Sequence, residues 1–200
     1  MAPPPALCLA TSNPGKIEEL RSFFRSRAPA LQCLGPADLG KPAPEVEESG
    51  LTYRANALLK ARAYHSVFKI PVLADDSGLE VEALDDRPGI LSARFGGEGL
   101  SWPQRWDALY QTLSPRPEPW AARFRCVLCY FDGTIPWYTE GTVEGFLLAK
   151  PRGQAGFGYD PIFFSPELAK TFGEASPAEK DRVSHRARAL ETFWKTLALS

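Results

Sequence analysis

The sequence predicts an α/β protein, a mixed sheet with helices packed on it, from three features. An apolar run at 6–10 gives way to Thr11-Ser12-Asn13-Pro14-Gly15-Lys16 and then to the amphipathic spacing of Ile17, Leu20, Phe23 and Phe24. Strand, tight polar turn and helix thus follow one another. A second buried strand, Pro71-Val72-Leu73-Ala74, stops at the polar Asp75-Asp76-Ser77-Gly78. Further on, helical and alternating stretches intermix without a strict βαβ period, which argues for a mixed sheet.

The remaining elements follow in chain order. Residues 36–50 are rich in Pro and Gly and read as a long loop carrying Glu45, Glu47 and Glu48. Residues 51–67 read as a helix with Leu51, Ala55, Leu58 and Arg62 on one side and Asn56 and Lys60 on the other. Leu79, Val81 and Ala83 alternate with acids as in a half-exposed strand, and Trp102, Trp106, Leu109 and Leu113 mark another amphipathic helix. Residues 123–131 and 135–148 flank Asp132-Gly133, a hairpin signal, with Pro136 pushing the second run toward a sheet edge. A glycine-spaced loop at 153–159 precedes Asp160-Pro161 and the apolar Ile162-Phe163-Phe164. Ser176-Pro177-Ala178-Glu179 is a capping box with proline at the first helical position, and Val183, Ala187, Leu190, Trp194 and Leu197 supply the stripe that follows.

Composition narrows the possible classes. Two hundred residues at 44% hydrophobic bury a real core, most simply as one domain or two lobes around one sheet. A formal net charge of −1 gives no overall field for nucleic acid or an anionic membrane. Met1-Ala2-Pro3-Pro4-Pro5 lacks the charged n-region of a signal peptide, and the apolar run after it is too short for an h-region. A cytoplasmic protein is therefore expected. Cys126-x-x-Cys129 lies on an alternating stretch that puts the two thiols on opposite faces, so core cysteines are expected rather than a zinc or redox pair.

Four polar clusters carry potential chemistry. The turn at 11–16 aims hydroxyls, an amide, backbone N–H groups and one cation at the positive end of a helix dipole, which suits a phosphate. Its spacing is not that of a Walker A loop. Asp75-Asp76 place two repelling carboxylates directly after a buried strand, and a cation is their natural compensation. Oxygen-only ligands and only two histidines favour Mg²⁺ over zinc, with Glu47 and Glu48 as further ligand candidates. The bland alternatives are a solvated acidic turn, a solvated Glu-Glu run and, for Lys60, a surface lysine. Phe157-Gly158-Tyr159-Asp160 combines close backbone approach, a stacking face and a carboxylate. Lys180 with Ser184-His185-Arg186 supplies two cations and an imidazole. A continuous helix from Pro177 would turn His185 to solvent, whereas a helix restarted at Ser184 would put His185 and Arg186 in its first turn.

Taken together, these segments resemble one family, the inosine/xanthosine triphosphate pyrophosphatases, house-cleaning enzymes that hydrolyse non-standard purine nucleoside triphosphates. The matching residues are Thr11-Ser12-Asn13-Pro14-Gly15-Lys16, Glu47-Glu48-Ser49-Gly50-Leu51-Thr52, Asn56-Ala57 with Lys60-Ala61, and Ala74-Asp75-Asp76-Ser77-Gly78-Leu79. They continue with Pro88-Gly89-Ile90, Ser92-Ala93-Arg94, Gly156-Phe157-Gly158-Tyr159-Asp160-Pro161-Ile162-Phe163, and Glu179-Lys180 with Ser184-His185-Arg186. They run in family order from 11 to 186. Ser12 stands where glycine is usual, which a negative φ would accommodate, and the proline-rich 113–121 reads as loop variation.

The resemblance implies an elongated α/β fold with a central mixed sheet, two lobes, a nucleotide-binding cleft and a homodimer, all in one pyrophosphatase domain over 1–200. It implies Mg²⁺-dependent cleavage of ITP, dITP or XTP between the α- and β-phosphates, giving the monophosphate and pyrophosphate. Asp76 would be general base or metal ligand with Asp75 beside it, Lys60 would join them in catalysis, and Glu47 or Glu48 would help hold Mg²⁺. Thr11, Ser12, Asn13, Pro14, Gly15, Lys16 and Ser77 would grip the triphosphate together with Lys60. Phe157, Gly158 and Tyr159 would carry the base, with Asp160, Lys180, Ser184, His185 and Arg186 reading it. Two rival readings fit less well. A phosphohydrolase with a covalent aspartyl intermediate needs an Asp-x-Asp spacing that Asp75-Asp76 lacks, and a nucleotide- or RNA-binding module using Arg123 and Arg125 would carry a basic excess.

Overall fold

Strand β1 (Ala6–Leu9) is buried along most of its length and pairs in parallel with both β2 (Gln32–Leu34) and β3 (Val72–Val81). Two parallel neighbours require crossover connections, and helices α1 (Pro14–Arg27) and α2 (Tyr53–Phe68) lie on those connections. In this computed structural model, which describes residues 4–199 and side chains as far as Leu197, eight strands form one sheet. Its order is β2-β1-β3, then β5 (Trp120–Phe131), β6 (Trp137–Leu147), β7 (Phe163–Ser165) and β8 (Lys170–Thr171), with β4 (Arg87–Pro88) paired antiparallel to β3. β6–β7 and β7–β8 are antiparallel, so the sheet is mixed, as the sequence predicts. The Met1-Ala2-Pro3 part of the leader reading lies outside the described residues, among which no helix is long and apolar enough to cross a membrane.

The chain forms two compact units. The first comprises residues 1–76, 126–141 and 186–200, and the second 77–125 and 142–185. In the first unit, apolar side chains cover both faces of the sheet. Leu7, Leu9, Leu73, Cys126 and Leu128 pack with Leu20, Phe23 and Phe24 of α1 and with Leu190 and Phe193 of α5 (His185–Leu199). Cys8, Ala10, Val72, Ala74 and Cys129 pack on the other face with Ala57, Ala61, Tyr64 and Phe68 of α2. Cys126 and Cys129 therefore sit in opposite layers, as the alternation predicts, and burial pushes both thiols up to about 12. The core of the second unit joins Leu79, Val81, Phe124, Val143, Phe163 and Phe172 to Leu109 and Leu113 of α3 (Trp102–Leu113).

Three expectations need correction, and the alternative left open for the last helix is decided. β3 does not stop at Asp75 but runs unbroken to Val81, so both acids lie in mid-strand. α2 starts at Tyr53 behind a Thr52 N-cap, and its buried face carries Asn56, Ala57, Ala61 and Tyr64, while Leu51 is 90% exposed. The small residues let the helix approach the sheet, and Asn56 faces inward because a carboxylate awaits it there. β6 is not an edge strand, because β7 pairs along it at Phe146 and Leu147. The last helix is broken. The capping box starts α4 (Pro177–Val183) as predicted, Ser184 is extended (φ −65°, ψ 156°), and α5 begins afresh at His185.

Candidate active site

The turn at 11–16 folds as its residues dictate. Asn13 caps α1, its Oδ1 accepting from the N–H groups of Gly15 at 2.9 Å and Lys16 at 3.3 Å, and Pro14 occupies a first-turn position where no N–H is needed. Thr11 Oγ1 accepts from Asn13 N–H at 3.1 Å. Ser12 is exposed and outside the left-handed region, so it replaces glycine without strain. The Gly15 and Lys16 amides are thus taken by the cap. What this turn presents is the Lys16 ammonium with the Thr11, Ser12 and Asn13 side chains, not a ring of open backbone N–H groups.

Asp75 and Asp76 are neighbours with different surroundings, because successive side chains on a strand point to opposite faces. Asp75 faces α1 and α5, where Oδ2 lies 2.9 Å from Lys16 Nζ and 3.1 Å from Arg186. Arg186, 1% exposed, also pairs with Glu19 one turn along α1 from Lys16. Burial alone would raise the Asp75 pKa, but Lys16, Arg186 and Lys60 outweigh it and hold the carboxyl well below the usual carboxylate range.

Asp76 faces α2. Lys60 Nζ lies 3.0 Å from its Oδ1, and Asn56 Nδ2 donates to its Oδ2 at 3.3 Å. Asn56 and Lys60 are four residues apart, so one helical face delivers both. Burial holds the Asp76 pKa above its ordinary value, with Lys60 pulling it down and Glu48 adding to the rise. Burial pulls Lys60 down, and the carboxylates of Asp76, Asp75 and Glu48 together lift it above its ordinary value.

The loop at 36–50 brings Glu48 to the same ammonium, 3.4 Å from Lys60 Nζ. Val46 and Glu48 turn toward the protein, whereas Glu47 is exposed. The loop is fastened where Gly50 N–H donates to Asn56 Oδ1 at 2.8 Å, and any Cβ at Gly50 would lie 2.6 Å from that oxygen. Only glycine fits. Glu48 and Asp76 thus both reach the Lys60 ammonium, and their carboxylate oxygens are hard donors of the kind Mg²⁺ takes. Among the described residues no group of three or more His, Cys, Asp or Glu is placed to hold a metal.

The second unit holds a separate cluster. Asp160, 2% exposed, accepts through Oδ2 from Phe157 N–H at 2.8 Å and from Lys180 Nζ at 2.6 Å. Lys180 Nζ sits 4.6 Å from the centroid of the Phe157 ring, a cation–π contact on one face. Gly156 has φ +74° and a Cβ there would fall 2.1 Å from Asp160 Oδ2, so this turn requires glycine. Tyr159 is 3% exposed and its hydroxyl donates to Ser92 O at 2.9 Å, which makes it a core residue rather than part of a binding face. Gly158 and Ser184 are buried, and Ser77 is half-buried on β3. His185 is 5% exposed and stacks on Phe124 with centroids 4.9 Å apart.

The predicted residues accordingly gather into two clusters. Lys16, Glu48, Lys60, Asp75 and Asp76 meet in the first unit, and Phe157, Asp160 and Lys180 in the second. Arg186, expected beside the base, is instead internal to the first cluster. Asn56 and Glu19 carry contacts that the sequence reading did not assign them. The signals were present in the four-residue spacing of Asn56 and Lys60 and the three-residue spacing of Lys16 and Glu19.

The site is thus a mixed sheet carrying a buried Asp-Asp pair, each acid met by a lysine from a different helix. Comparison with known proteins identifies its class. The chain is 43% identical over 187 residues to a dITP/XTP pyrophosphatase of Geobacillus kaustophilus, covering 92% of this chain and 90% of that one. It is 45% identical to a dITP/XTP pyrophosphatase of Thermus thermophilus, covering 92% and 88%. Its fold matches the structure of a HAM1 protein from Coxiella burnetii with a TM-score of 0.86, 33% identity and coverage of 98% and 99%. Residues 7–196 match the Ham1 family, and the chain belongs to that family.

Proposed function

We propose that this chain is an Mg²⁺-dependent nucleoside triphosphate pyrophosphatase that hydrolyses ITP, dITP and XTP to the monophosphate and pyrophosphate, removing them from the nucleotide pool. The observation that carries the proposal is the convergence of Glu48 and Asp76 on Lys60, in a family whose relatives include dITP/XTP pyrophosphatases. The net reaction adds water across the anhydride between the α- and β-phosphates. One oxygen–phosphorus bond forms, the bridging bond breaks, and pyrophosphate leaves.

Glu48 and Asp76 would hold the metal, with Glu48 preferred over Glu47 because Glu47 points to solvent. When bound, Mg²⁺ supplies charge neutralisation on the phosphoryl oxygens. Lys16 and Lys60 add to that neutralisation, and Thr11, Ser12 and Asn13 contribute hydrogen bonds from the α1 turn. Asp76 Oδ1, 3.0 Å from Lys60 Nζ, takes the proton of the attacking water. Asp75 does not react in this scheme, because its charge is spent holding Lys16 and Arg186 in place.

Phe157 offers the purine a stacking surface, with Lys180 on one face of the ring. Asp160 acts by positioning Phe157 and Lys180 rather than by touching the base. Hypoxanthine and xanthine accept a hydrogen bond at the 6-position where adenine donates, so a donor facing that edge discriminates against ATP by about 1–3 kcal/mol. His185 and Lys180 are the donors assigned to that task. The family resemblance also supports a homodimer, and the scattered cysteines support a cytoplasmic setting. A pyrophosphate-release assay across ITP, XTP, GTP and ATP, with and without Mg²⁺, tests the reading. Metal-dependent release from ITP and XTP well above ATP is expected, and equal turnover of all four would refute it.

A further inference from the structure

Phe157 sits between two glycines with positive φ, Gly156 at +74° and Gly158 at +68°. Each is a conformation in which the backbone turns with little resistance, so the direction of the ring has to be fixed from outside the loop. On the N-terminal side Asp160 does this by accepting from Phe157 N–H. On the C-terminal side the carbonyl of Gly158 accepts from Trp106 Nε1–H at 3.0 Å. Trp106 is half-buried on α3, a helix whose first turn packs edge-on against Tyr159 through Trp102, with ring centroids 5.3 Å apart. The same helix is fastened to the loop preceding it by Arg105, 5% exposed, which donates to the carbonyls of Phe95, Gly97 and Leu100. A rigid element thus reaches one indole N–H onto the Gly158–Tyr159 peptide, one residue beyond Phe157.

We infer that Trp106 is a positioning residue for base recognition. Its N–H holds the Gly158 peptide against flipping and so fixes the Phe157 ring for stacking. The inference rests on Phe157 being the base platform, and it adds a residue on α3 that touches neither base nor phosphate. Loss of the N–H leaves the ring population divided among loop conformations, and only the competent fraction binds. The effect belongs to binding of the base, not to the phosphates or the chemical step.

Trp106→Phe keeps an aromatic ring and removes the donor. Loss of a single hydrogen bond corresponds to a rise of roughly three- to tenfold in KM for ITP, with kcat within about twofold of wild type. The inhibition constant of inorganic tripolyphosphate, which has no base, should be unchanged. An unchanged KM for ITP, or a parallel weakening of tripolyphosphate, would overturn the assignment, since a general packing defect moves both. Wild-type enzyme is assayed first, because failure to release pyrophosphate from ITP would overturn the functional reading and this inference with it, whereas an active wild type confines the test to Trp106. Should the variant not fold, hydrogen exchange of the Trp106 indole N–H in wild-type protein decides. Protection that deepens on adding IMP is expected, and exchange at the rate of a free indole overturns the inference.

Discussion

Replacing Asp75 by asparagine keeps the side-chain shape and removes its charge. Lys16 and Arg186 would then face a neutral amide, with Glu19 as the remaining carboxylate on Arg186. Removing one partner of a buried ion pair costs about 3–5 kcal/mol. Lys16 keeps 18% of its side chain in solvent and Arg186 keeps Glu19, so the lower end of that range, about 3 kcal/mol, is expected. At roughly 2–4 °C per kcal/mol for a chain of this size, Tm falls by about 6–12 °C. The pH dependence gives a second check. The folded-state pKa of Asp75 is held well below the ordinary 3.8, so its contribution is complete above that value and is lost as pH falls toward the folded pKa. The gap between wild type and variant should therefore stay level from pH 8 to about pH 5. Below about pH 4 it should shrink, by up to about 1.4 kcal/mol per pH unit. Guanidinium unfolding followed by circular dichroism at pH 7, 5 and 3.5, with chelator present to exclude divalent ions, measures it. A gap under about 1 kcal/mol at pH 7, or one that does not narrow on acidification, would refute the charge assignment.

Asp76→Asn removes the proposed base and metal ligand, and kcat should drop by about 10²–10⁴ with Tm reduced far less than in Asp75→Asn; substantial Mg²⁺-dependent turnover would remove Asp76 from the chemistry. Phe157→Ala should raise KM for ITP by roughly fivefold to a hundredfold through loss of stacking, with kcat nearly constant, as steady-state kinetics would show. Gly50→Ala forces a Cβ toward Asn56 Oδ1 and should shift the Glu48 loop, costing about 1–3 kcal/mol of stability. A Mg²⁺ titration of activity should then move to higher concentration, and an unchanged titration would separate that loop from the metal.

What could be read from the chain alone was mostly local. The Lys16 position at the start of α1 and the Ser176–Glu179 capping box are set by residues within four positions of each other, and both form as read, whereas the equally local Asn13 cap was not assigned from the sequence. The Asp-Asp-Ser-Gly segment looked like a strand terminator because such residues disfavour strands and favour turns. The strand continues because the cations that neutralise its carboxylates come from Lys16, Lys60 and Arg186, far away in sequence. The face of α2 was misjudged for the same reason, since Asn56 is buried by a carboxylate twenty positions on, which no periodicity of apolar residues reveals. Arg186 stood in a motif that pointed toward the base, yet its partners Glu19 and Asp75 lie 167 and 111 residues away.

The pleat of β3 works as a partition. Asp75 is turned to Lys16 and Arg186 and Asp76 to Lys60 and Asn56, separated by nothing more than the alternation of a strand. A single residue inserted upstream within β3 would exchange the two environments, turning the first acid toward Lys60 and the second toward Arg186. The length of this strand is consequently less free to vary than the identity of most residues in it, and engineering for new nucleotide preference should leave it uncut.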